Sequence, residues 1–212
     1  MLKRILLSAS FLGAFAASAS AAIILENPGS VTYQQTLNNP CVIGDPSCNN
    51  GAFPQTILPS GPGGYDELSP IYTVAQLLGV IGSTTFKIGV DVNTTTQPLA
   101  TERLDLFAML INGVQSAANT YDPASPGTQL VTANNGNGRS DELLTGFSLA
   151  GLQLTDTIQF HTIVNLATDG REEFFLISAN ATPVPEPASL AIMGAGLATL
   201  GFVRRRRSST IA

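Results

Sequence analysis

Sixteen uncharged residues, Ala188 to Val203, run directly into four arginines, Arg204, Arg205, Arg206 and Arg207, close to the C-terminus. A buried core helix is one reading of such a run, but four adjoining guanidinium groups would have no place in a core. A transmembrane helix over 188–203 fits better. At about 1.5 Å per residue it spans about 24 Å, somewhat short of a ~30 Å hydrocarbon core. Flanking arginines can snorkel to cover the mismatch. Gly194, Ala195, Gly196, Ala198 and Gly201 make the helix slender and mildly apolar, so a weak hold on the bilayer is expected. Moving each arginine through the bilayer costs roughly 2.5–3.5 kcal/mol, so together they oppose translocation by about 10–14 kcal/mol. Arg204, Arg205, Arg206 and Arg207 therefore set the topology: they stay in the cytosol and the preceding chain lies outside.

The other end agrees with that orientation. Lys3 and Arg4 precede an apolar stretch from Ile5 to about Ala17, followed by Ala17-Ser18-Ala19 and Ala19-Ser20-Ala21. Basic start, short apolar run and small-residue cleavage pattern together make a secretory signal peptide, assigned to residues 1–21. The alternative, an uncleaved anchor, would call for a longer apolar run.

Between the ends, residues 22–183 carry 14 acidic and four basic side chains, a net charge of −10. Such a segment repels nucleic-acid phosphates and has no basic stripe, which excludes nucleic acid as a partner. The two cysteines, Cys41 and Cys48, lie in NNPCVIGDPSCNN. In an exported chain a disulfide is the first reading, worth about 2.5 kcal/mol on the loop-closure argument. A metal site is the rival; it needs more ligands, and Asp45 is the one carboxylate nearby in sequence.

Val184-Pro185-Glu186-Pro187, then the apolar helix, then the arginine cluster, resembles the PEP-CTERM sorting signal over residues 184–207. The resemblance implies recognition by a membrane-embedded exosortase in Gram-negative bacteria that make extracellular polysaccharide. It implies an inner-membrane form with the domain outside the cytoplasm, then a cell-surface or extracellular form after processing. The same tail is sometimes labelled as an ice-binding protein C-terminus. Chemistry suits a processing signal: the two prolines keep the backbone extended and without helical hydrogen bonds where a protease must reach it. No LPxTG-like sequence precedes the helix, against a sortase wall signal.

The middle reads as β. Residues 23–82 are punctuated by Pro and Gly around short extended pieces such as Val31 to Gln35, and 74–81 reads as a short helix or an edge strand. Phe86, Ile88, Val90 and Val92 alternate with Lys87, Gly89 and Asp91, the period of a half-buried strand. Leu104 to Asn112 is more uniformly apolar, as a central strand would be; 128–132 and 143–149 are shorter candidates. TIQFHTIVN puts Ile158, Phe160, Thr162 and Val164 on one face, and Asp169-Gly170 before EEFFLISA is a hairpin signal. These features point to an antiparallel β-sandwich or jelly-roll-like domain over 22–183. NNGNGRSDELLTGFSL and ATDGREEFFLI also resemble segments that recur in the extracellular domains of PEP-CTERM proteins.

Candidate sites in this domain are sparse. His161 is the sole histidine, and no GxSxG elbow supplies a nucleophile for it. Asn134 to Glu142 is oxygen-rich, as calcium loops are, but lacks their alternating aspartates and reads as an Asn/Gly turn. Glu172 and Glu173 are sequence neighbours in a strand and point to opposite faces, so they cannot form one glycosidase pair. Asp91 and Asp105 could meet across adjacent strands. Thr94 to Thr96 reads as a turn rather than an ice-binding array. The expectation is a non-enzymatic surface or matrix protein, associated with exopolysaccharide and without cofactor or metal. The alternative is a membrane-anchored carbohydrate-binding module or glycoside-processing enzyme.

Overall fold

The computed structural model describes residues 22–29, 31–48, 50–59, 63–93, 102–131, 138–167, 170–178 and 181–183, together with Leu197 and Thr199, both helical. Several expectations lie outside the described residues: the signal peptide, the segment Val184, Pro185, Glu186 and Pro187, and nearly all of the transmembrane run. So do the four topology residues Arg204, Arg205, Arg206 and Arg207. Among the described residues no helix is long and apolar enough to cross a membrane.

Two sheets face one another. The first holds β1 (Ile24–Glu26), β2 (Cys41–Gly44), β3 (Thr56–Ile57), β6 (Thr85–Asp91), β10 (Glu142–Ser148) and β12 (Glu173–Ile177), in the order β1-β10-β6-β12-β2-β3. The second holds β4 (Tyr65–Leu68), β11 (Thr157–Asn165), β7 (Arg103–Ile111) and β8 (Val114–Tyr121) in that order. There β5 (Tyr72–Thr73) adds to β11, and β9 (Thr128–Gln129) to β7. All pairs are antiparallel except β2 with β3.

Aromatic rings from both sheets interlock between them. Phe107 of β7 stacks on Phe174 of β12 at 5.2 Å and meets Phe147 of β10 edge-on at 5.7 Å. Phe86 of β6 stacks on Phe147 at 5.3 Å. Phe107, Phe147, Phe160 and Phe174 are fully buried. Such ring pairs contribute about 0.5–1.5 kcal/mol beyond area burial, so this cluster holds the two layers in register.

The sheets differ in their outer faces. β11 alternates buried and half-buried residues along nearly its whole length, the mark of one wet face. β12 is buried at every position. The cause is a second, smaller apolar cluster on the outer side of the first sheet, where Cys41, Leu143, Phe175 and Ile177 are covered by Cys48, Tyr33 and Ala181. The same cover buries Gly89 and Asp91 on β6, where alternation alone predicts exposure. A side chain at Gly89 would run into the Phe175 ring.

Segment 74–81 is a helix, α1 (Val74–Ile81). Thr73 caps it: its Oγ1 accepts from the Gln76 N–H at 3.2 Å, while its own N–H donates to Gln76 Oε1 at 2.8 Å. Gly82, at φ 67°, closes the other end through an N–H to Leu78 O bond of 3.0 Å.

One turn expectation is corrected. Asp169-Gly170 does not make a hairpin, because β11 and β12 belong to different sheets and the chain crosses from one to the other there. The glycine is needed at 170 because a Cβ would collide with the Asn93 carbonyl. The tight hairpin lies instead at Asn112-Gly113, between β7 and β8. Both residues have positive φ, 51° and 78°, and Ile111 pairs with Val114. Val31 to Gln35, read as a short extended piece, makes isolated bridge contacts and backbone bonds to 138–140.

Candidate functional site

Register brings the domain's buried carboxyl groups to one end. β6 ends at Asp91, β10 begins at Glu142 beside Val90, and β12 begins at Glu173 opposite Asp91. Glu102, Asp141, Glu142, Glu172 and Glu173 are all buried, as is Asp91. Alternation assigns them to two faces. Asp91, Asp141 and Glu173 sit on the outer side of the first sheet. Glu142 and Glu172 point between the sheets, where the Tyr65 hydroxyl donates to Glu172 Oε2 at 2.5 Å. Glu172 and Glu173 therefore point apart, as period-two geometry requires.

Backbone N–H groups hold Asp91 and Asp141 of the outer set. Gly138 N–H donates to Asp91 Oδ2 at 2.5 Å, and Val92 N–H to Asp141 Oδ2 at 2.8 Å. Burial pushes Asp91 up to about 8, and the Glu173 and Asp141 carboxylates beside it add to the rise. Burial also pushes Glu142 to about 8, with Val131 N–H opposing, and Glu173 to about 7, with Asp45 adding repulsion. The Tyr65 hydroxyl is raised well above its ordinary value, first by burial and then by Glu172. Asp45 runs the other way. Its modest burial is outweighed by Ser47 and by Arg171, whose Nη1 lies 3.3 Å from Oδ2, so its carboxyl is held below the usual value. A set of buried acids with raised pKa values stores protons near neutral pH.

The opposite end, where β12 gives way to the segment leading to the C-terminal tail, carries two adjoining open clefts. One, of about 400 Å³, lies between Tyr33 and the outer edge of β6, β10 and β12, and includes Lys87 and Ser178. The other, of about 430 Å³, is lined by Gln34, Thr36, Asn38, Asn39 and Thr182. Ser178 and Ala181 border both. Asn39 fixes the wall between them: its Oδ1 accepts from Ser178 N–H at 3.2 Å and its Nδ2 donates to Gln34 O at 3.0 Å. One tyrosine face flanked by amides, hydroxyls and an ammonium can take a polar, hydroxyl-rich ligand.

Other sequence candidates fall elsewhere. Cys41 and Cys48 are joined by a disulfide. His161 lies half-buried on the outer face of the second sheet, with Nε2 2.5 Å from Asp66 Oδ1 on β4. Asp91 and Asp105 do not meet, because β6 and β7 belong to different sheets; Asp105 bonds Asn165 instead. Thr94 to Thr96 and Asn134 to Asn137 lie outside the described residues. The following residues of that second stretch deliver Asp141 and Glu142 into the carboxyl cluster. Doubled acids opening otherwise apolar strands, Asp141-Glu142 and Glu172-Glu173, are its signal in the sequence.

No curated protein and no solved structure matches the chain. The family comparison finds a sorting signal and lends no support to the ice-binding label. Residues 183–207 match the PEP-CTERM protein-sorting motif: this chain carries the sorting signal of an exosortase substrate.

Proposed function

We propose that this is a non-enzymatic protein of the cell surface or extracellular matrix of a Gram-negative bacterium, sorted by an exosortase and associated with exopolysaccharide. The sorting motif at 183–207 carries the reading. The twin clefts beside Ser178 support its second half, since Tyr33, the amides and Lys87 form the polar, partly aromatic surface that a glycan requires. Glu172 and Glu173 offer no opposed pair for glycoside hydrolysis. The protein is first held in the inner membrane by residues 188–203, with Arg204, Arg205, Arg206 and Arg207 on the cytosolic side. It is released when the Val184–Pro187 segment is processed.

Two measurements test this. In an exosortase-positive host, the wild-type chain should be recovered without its helix and arginines. Glu186→Ala, or Pro185→Ala with Pro187→Ala, should trap a longer membrane-bound form. Replacing Arg204, Arg205, Arg206 and Arg207 with Gln should block sorting. Full-length protein ending at Ala212 in that host would overturn the sorting reading. For the glycan, recovered protein is incubated with extracted exopolysaccharide. Retention that weakens in Tyr33→Ala supports association, shortening of the polysaccharide means an enzyme, and no retention removes the polysaccharide from the proposal.

A further inference from the structure

The sequence offers Asp45 alone as a companion to the cysteine pair, too little for a metal site. The fold supplies another. Glu173, which opens β12 and is distant in sequence, brings a carboxylate oxygen to within 4.8 Å of both Cys41 Sγ and Cys48 Sγ, and all three residues are buried. Glu173 is 2% exposed, and its Oε2 has no hydrogen-bond partner among the described residues. A buried carboxylate oxygen met by no donor is costly unless something else satisfies it. Room for the approach comes from Gly44: a Cβ there would stand 3.2 Å from Cys48 Sγ and 3.3 Å from Glu173 Cα. Asp45 stays on the rim, engaged by Ser47 N–H at 2.8 Å and by Arg171.

We propose that Cys41, Cys48 and Glu173 form a zinc site that the disulfide closes and reduction opens. Two thiolates and one carboxylate are a fitting set for tetrahedral zinc. Bonds of about 2.3 Å to sulfur and about 2.0–2.2 Å to oxygen put donor atoms roughly 3.5–3.8 Å apart. The carboxylate oxygen already lies within 4.8 Å of both sulfurs, and the two sulfurs, bonded to each other here, move apart once reduced. The fourth position falls to water. The reaction balances with a phosphine as reductant. The phosphine takes oxygen from one water and becomes its oxide, the S–S bond accepts the electron pair, and the water's two hydrogens leave two thiols. Zinc then displaces both thiol protons to solvent, and the Glu173 carboxylate completes the protein ligands. In the exported chain, metal and oxidant therefore compete for the same two sulfurs.

The test uses the full chain in detergent, oxidised or reduced with a trialkylphosphine. Zinc is titrated against a chromogenic chelator, and cobalt(II) serves as the spectroscopic reporter. The expected result is one zinc per chain in the reduced form and none in the oxidised form, with cobalt giving a sulfur charge-transfer band and the visible bands of a four-coordinate ion. Cys41→Ser should abolish binding. Glu173→Gln should weaken it at least tenfold and alter the visible bands while keeping the sulfur band. Equal zinc uptake by the oxidised chain overturns the proposal. So does undiminished affinity in Glu173→Gln, because cysteines of a chain unfolded by reduction would bind metal without regard to Glu173.

Discussion

The two ends of the sandwich bury opposite kinds of group. At the tail end, Phe86 and Phe147 stack in the core and α1 buries Leu77 and Ile81 against it. At the far end, Asp91, Asp141, Glu142, Glu172 and Glu173 are withdrawn from water to a similar degree. Apolar burial stabilises at any pH, whereas buried carboxyls stabilise or destabilise according to their protons. One domain therefore has a pH-indifferent end and a pH-governed end, and measurements can separate them.

The largest expected effect is the pH profile itself. Asp91 and Glu142, raised to about 8, and Glu173, raised to about 7, bind more protons in the folded than in the unfolded chain. Their contribution is complete below about pH 4, where both states are protonated, and is lost as pH rises through about 7–8. Thermal unfolding should show a fall of several kcal/mol between pH 5 and pH 9, since each tenfold tightening of proton binding on folding is worth about 1.4 kcal/mol. Glu142→Gln should flatten that slope and raise stability at pH 9. A melting temperature constant across the range would end the contrast between the two ends.

Next in size, Phe147→Ala should cost about 3–5 kcal/mol, equally at pH 5 and pH 9, by denaturant unfolding. A strongly pH-dependent loss would mean that the ends are coupled. Removing the disulfide with Cys41→Ser and Cys48→Ser should cost about 2.5 kcal/mol. The intact mass of the exported wild-type protein should rise by two hydrogens on reduction. The smallest effect sharpens the tail end: Thr73→Ala removes the cap of α1 and should cost about 1 kcal/mol, with the loss read by circular dichroism and unfolding.

Legibility follows the same division. β11 can be read from sequence because one face is in water, so polarity reports position, and β7 because it is a long, nearly uninterrupted apolar run. β6 is only half legible, and β8, VQSAANTY, is not, because its small polar residues lie on a partly exposed edge and show no clear period. Asn112-Gly113 and Asp169-Gly170 satisfy the same local turn rule, and only the first makes a hairpin. Sheet membership decides between them, and it is a long-range property. The carboxyl cluster is hidden for a similar reason. Its members come from segments far apart in the chain, and each looks like an ordinary surface acid until a second layer covers the sheet. The sorting signal is legible because its chemistry is linear and needs no fold.

β12 is the last strand of the domain, yet it lies inside the first sheet, paired on one side with β6 and on the other with β2. In any order of folding that runs from the N-terminus onward, that sheet remains two separate pieces until Ile177 is available. Closing it joins Phe174 to Ile43 and completes pairings between distant parts of the chain, which are the slow ones. Seven residues, Ser178 to Val184, then separate the closing strand from Pro185, a reach of at most about 25 Å. If residues 188–203 anchor the chain as proposed, the domain finishes folding within a short leash of the bilayer, and a protease that cut early would free an incomplete sheet with two open edges.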